Sequence, residues 1–172
     1  MFTKTDIEKY FFAEKQESLL FIVVGVIALL TAIAFLIWGK TLFFRGAAIP
    51  LLLIGIIQLV VGYTVYQRSD EDRKRNVYAY DMNPGELKNK ELPRMEKVNK
   101  NFVIYRWIEI VLTIVGLLML FFSRNDPTRL FWYGLGIALT IQALIMLLAD
   151  YTAENRAGKY TAGLIEYIKQ KS

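Results

Sequence analysis

Residues 46–66, GAAIPLLLIGIIQLVVGYTVY, run for 21 positions without a charged side chain. A helix needs roughly 20 apolar residues to cross the hydrocarbon core of a bilayer. This stretch is long enough. It also lacks the polar face, repeating about every 3.6 residues, that a helix buried in a water-soluble bundle shows. Three more stretches read the same way. Residues 18–38 and 130–149 are uncharged, and 102–122 holds only Arg106 and Glu109. The expectation is an all-α integral membrane protein of four transmembrane helices, at about 19–38, 47–66, 102–122 and 130–149.

The links between these spans differ in length. Residues 40–45 and 123–129 are short, so the spans pair as two antiparallel hairpins. Residues 67–101 form a polar middle segment, and 150–172 a polar tail. The whole chain, 1–172, reads as one four-helix membrane domain. Its leader, 1–17, is long and mixed in charge, unlike a secretory signal peptide.

Local signals fill in the polar parts. Thr5-Asp6-Ile7-Glu8 has the form of a capping box, with Thr5 as N-cap. Ile7, Tyr10 and Phe11 then share a face, which predicts an amphipathic N-terminal helix at the membrane surface or against a partner. The dense charges at 69–75 predict a solvated extension of the second span. VYAY at 77–80 reads as a short strand, Asn83-Pro84-Gly85 as a turn, and Pro93 as the start of a new helix. Pro50 is expected in the first turn of its span, where a missing N–H costs little. In the tail, Tyr160, Leu164, Tyr167 and Ile168 make an apolar stripe. That predicts an amphipathic C-terminal helix lying on the membrane or on the middle segment.

Charge sets the orientation. The leader holds three Lys or Arg, the middle segment nine and the tail four, against four in the two short links together. Basic residues stay cytoplasmic. Both termini and the middle segment are therefore expected inside a bacterial inner (plasma) membrane, with the two turns outside. The net charge of +5 follows from this placement. The middle segment also carries seven acids, so no nucleic acid is expected as partner.

Small residues recur at helical spacing: Gly25, Ala28 and Ala32; Ala48, Gly55 and Gly62; Gly136 and Ala143, with Asp150 seven further on. They are expected to let helices pack closely. The second and fourth spans also end alike, on Tyr63-Thr64 and Tyr151-Thr152, and each has a mid-span glutamine, Gln58 and Gln142. That pattern raises a weak parallel repeat.

Few residues are placed to do chemistry. The chain has no cysteine and no histidine, which removes disulfides, thiol nucleophiles and His/Cys metal sites. No catalytic residue, metal or cofactor is expected. The intramembrane polar candidates are Glu109, Arg106, Gln58 and Gln142. Arg106 lies one turn before Glu109 and is expected to pair with it. Thr31, Thr113 and Thr140 are expected to bond across the bundle, and Asp150 to belong with Arg156 or the tail. The reading is a non-enzymatic membrane binding protein: an accessory subunit, or an immunity-type protein acting through a protein partner. The competing reading is a small homo-oligomeric transporter or channel subunit that uses an intramembrane carboxylate. The lipid bilayer is a partner in both.

Overall fold

The computed structural model describes residues 2–171. Met1 and Ser172, the ends of the leader and the tail, lie outside the described residues. Four long helices carry nearly everything: α1 (Lys4–Trp38), α2 (Leu42–Met82), α3 (Leu92–Ser123) and α4 (Leu130–Lys171). A helical turn, Pro84–Glu86, and a π-helical turn, Leu87–Glu91, join α2 to α3, and a 3-10 turn, Pro127–Arg129, leads into α4. The four are long and apolar enough to cross a membrane. Helix α2 has 41 residues. At about 1.5 Å per residue it is roughly 60 Å long, twice the roughly 30 Å hydrocarbon thickness.

Through the apolar region the helices stand in a row, α1–α2–α4–α3. The most apolar windows of the two outer helices, α1 and α3, are only 17% and 11% buried, against 33% and 39% for α2 and α4. Each seam of the row is built on glycine. A side chain at Gly25 would come within 2.9 Å of the Gly55 carbonyl, which marks the α1–α2 seam. One at Gly136 would come as close to the Gly116 carbonyl, between α4 and α3. At Gly46 and Gly134 it would collide with the carbonyls of Phe131 and Phe43, between α2 and α4. Removing side chains lets backbones approach and adds contact area between the helices.

The buried positions repeat every seven residues and carry this packing out of the apolar region. On α2 they are Ala48, Gly55, Gly62, Ser69 and Asn76. On α3 they are Met95, Glu109, Gly116 and Ser123, with the half-buried Phe102 filling the step between the first two. A strict seven-residue repeat keeps one face turned to its neighbour through a left-handed supercoil. At the polar end the row closes around a hydrophobic core. Ile7, Tyr10 and Phe11 of α1, Ala79 of α2, Leu87, Met95 of α3, and Tyr160, Leu164 and Tyr167 of α4 meet there. Tyr10 stacks on Tyr160 with ring centres 4.2 Å apart, and Tyr80 on Tyr167 at 4.5 Å.

Several local expectations are corrected. The 77–80 stretch is helix, not strand. Ala79 is fully buried in the polar-end core, and that packing overrides the strand preference of Val77, Tyr78 and Tyr80. Helix α1 is capped by Thr3, not Thr5. The Asp6 carboxylate accepts from the Thr3 backbone N–H at 2.8 Å and from its hydroxyl at 2.7 Å. Those two bonds, the hydroxyl's first, hold the Asp6 carboxyl below its usual range. Pro50 lies inside α2, which begins eight residues earlier at Leu42. Phe43 and Phe44 pack on Tyr133 and Phe35, so the helix starts before the apolar run does. The stretches read as separate terminal helices are unbroken ends of α1 and α4, and Ile7, Tyr10 and Phe11 meet Tyr160, Leu164 and Tyr167 in the polar-end core.

Candidate functional site

The polar side chains within the row lie at two levels. Deep in it, Gln58 on α2 donates its amide N–H to the Gln142 carbonyl oxygen on α4 at 3.2 Å. Both side chains are buried, and this bond joins the two inner helices. Thr31, Thr113 and Thr140 do not reach across. Each donates its hydroxyl to the carbonyl four residues back on its own helix, at 2.8 Å in every case. That local bond is always within reach of a helical threonine, so it wins over a neighbour's side chain.

The second level lies where the row meets the polar end. Arg106 does not pair with Glu109. Its Nη1 donates to both carboxylate oxygens of Glu154 on α4, at 2.9 Å each. Arg156 is likewise taken, by Glu17 on α1, through both terminal nitrogens. Asp150 pairs with neither arginine. It faces Glu109 on α3, and the two carboxyls act on each other electrostatically. Glu109 is 1% exposed, and neither of its oxygens receives a hydrogen bond. Nearly all buried side-chain oxygens have a partner, so two orphans on one carboxyl need an explanation.

The seven-residue repeat puts these groups together. Glu109 precedes Gly116 by seven on α3, and Asp150 follows Ala143 by seven on α4. Each therefore continues the stripe that packs α3 against α4. Gly25, Ala28, Ala32, Ala48, Gly55, Gly62, Gly136 and Ala143 are all buried inside the chain. None of these small residues is left outward for packing a second copy.

A third polar cluster, inside the polar-end core, escaped the sequence reading. Glu91 is 1% exposed and is held by Arg94 Nε at 2.9 Å and Nη2 at 2.7 Å. The Tyr160 hydroxyl adds a bond at 3.2 Å. Nearby, Glu14 accepts from Ser69 at 2.9 Å and from Tyr10 at 3.4 Å. Burial pushes the Tyr10 and Tyr160 phenols up, helped by Glu14 for the first and Glu91 for the second. The signal for this cluster lies in the spacing. Glu14 falls three residues after Phe11 and seven after Ile7, a charge set on an apolar stripe.

Two grooves open on the surface, and the second is lined in part by Tyr10, Tyr160 and Arg156. One, of about 560 Å³, runs beside Leu118, Phe122 and Trp132 near the α3–α4 turn, and one of about 470 Å³ beside Phe2, Lys9 and Lys159 at the polar end. Neither reaches Glu109 or the glutamines. Among the described residues, no three acidic side chains are grouped to hold a metal ion.

Fold and site together define an all-helical protein with four helices long and apolar enough to span a membrane, and a buried glutamate, Glu109, whose carboxyl oxygens have no hydrogen-bond partner among the described residues. No protein-family model matches the chain, and no match is found among curated proteins or solved structures.

Proposed function

We propose that the chain is a non-enzymatic integral membrane binding protein that works through a protein partner, as an accessory subunit or an immunity-type protein. It crosses a bacterial inner membrane as two antiparallel hairpins, with both termini and residues 67–101 in the cytoplasm. The observation that carries the reading is the open row of helices. An outer helix packed on one side only leaves its other sides to lipid or to another protein's helices. On α1 those sides present Ile27 and Leu30, and on α3 Trp107 and Val111, each more than half exposed. The excess of Lys and Arg in the leader, middle segment and tail supports the orientation.

The test is affinity purification of the full chain in a gentle detergent, with a mass measurement of the intact complex. The reading expects one foreign protein at fixed stoichiometry, released by Ile27→Trp or Val111→Trp. A chain that runs alone or only with copies of itself contradicts it.

The carboxyl pair favours a second reading, a small oligomeric transporter or channel subunit. The small-residue stripes are used within the chain, so such an oligomer has to form through the outward apolar faces. Glu109→Gln then abolishes pH-dependent flux in proteoliposomes. In a binding protein the same substitution leaves partner capture intact.

A further inference from the structure

We propose that Glu109 and Asp150 form a proton-binding site in which the two carboxyls share one proton. The inference goes beyond partner binding and holds with or without a partner. Charges of one sign are in excess where α4 meets α1 and α3. Four acids, Glu17, Glu109, Asp150 and Glu154, stand among two arginines, Arg106 and Arg156. Both arginines are engaged, by Glu154 and by Glu17. The remaining acids face each other, and among the described residues neither has an ion-pair partner.

Two like charges at a desolvated site disfavour each other, and water does not compensate a side chain that is 1% exposed. Independently of that repulsion, both oxygens of the buried Glu109 carboxyl lack a hydrogen-bond partner among the described residues. A proton shared by the two carboxyls accounts for both features. Taken from water at the polar end, it turns one carboxyl into a hydroxyl donor, which bonds to the other carboxylate. The pair then carries one negative charge in place of two, and α3 and α4 are tied by a hydrogen bond. Loss of the proton restores two facing carboxylates and pushes the helices apart. Such a site couples pH to the α3–α4 seam.

The test is infrared spectroscopy of the full-length protein in lipid nanodiscs as pH rises from about 6 to about 9, well above the ordinary carboxyl range. The expected result is a protonated carboxylic-acid C=O band at neutral pH that disappears on alkalinisation. That band is absent from Glu109→Gln. In Asp150→Asn, with the like charge removed, it is lost at a lower pH than in the native chain. The proposal is overturned if the native protein shows no such band at neutral pH, or if the band is unchanged in Glu109→Gln. Should Glu109→Gln not assemble, Asp150→Asn decides: a band that titrates as in the native chain overturns the proposal.

Discussion

The Glu91 carboxyl is buried beside tyrosines, and Arg94 pairs with it through two hydrogen bonds. Removing one partner of a buried ion pair leaves the other unpaired and costs about 3–5 kcal/mol. Arg94→Ala is therefore expected to destabilise the protein by about that amount in a denaturant titration of the detergent-solubilised chain. The tyrosines give a pH signature. A phenol pushed up by burial favours the folded state with its proton on, so its stabilising contribution is whole below the ordinary tyrosine value of about 10. It is lost as pH climbs from there. Ultraviolet titration should show Tyr10 and Tyr160 ionising only together with loss of helix packing, and Tyr160→Phe should flatten the alkaline loss of stability. At this scale the sequence was only partly legible. Arg106 and Glu109 have the spacing of a helical pair, yet the arginine's partner lies 48 residues away on another helix. A local pattern cannot rank a neighbour on the same helix against one brought by folding. Asp150 was legible in principle, because it continues the Gly136–Ala143 repeat into the seam that Glu109 also faces.

The helices depend on backbone contact, which makes glycine substitutions informative in opposite directions. At Gly46 the methyl of alanine meets the Phe131 carbonyl, and backbone atoms cannot step aside. Gly46→Ala should cost about 1–3 kcal/mol, the usual penalty for overpacking. Gly158 is also helical, but a methyl there meets nothing within 4 Å. Gly158→Ala should stabilise by about 0.5–1 kcal/mol, because alanine loses less freedom on entering a helix. Thermal unfolding of the two variants in one detergent checks both signs. The existence of four helices was plain in the apolar runs, since nothing competes with a stretch of 20 uncharged residues. Their ends were less plain. Polar residues 67–82 continue α2 because Ser69, Asn76 and Ala79 stay on its packed face, a repeat hidden among surface charges. For the same reason VYAY at 77–80 misled: two aromatics and a valine suit a strand until a core is supplied for their helical face.

Taken whole, the molecule has one apolar region and one polar end, and the proposed function depends on where the membrane cuts it. A row of helices is exposed on both broad sides there, whereas the polar end closes around its own core. Lipid solves the first problem and water tolerates the second, so the apolar windows should sit in the bilayer and the closed end in the cytoplasm. Composition carried that division openly, and the bias of Lys and Arg gives the direction proposed for it. The order of the row was not legible, because every seam uses the same small residues. The chain has no cysteine, so single cysteines can report the topology without a background. The most direct measurement is labelling of intact cells with a membrane-impermeant maleimide, using Asn125→Cys at the α3–α4 turn and Gly158→Cys at the polar end. The account predicts that Asn125→Cys labels in intact cells and Gly158→Cys only after permeabilisation. Labelling of both from outside, or of Gly158→Cys alone, would contradict it.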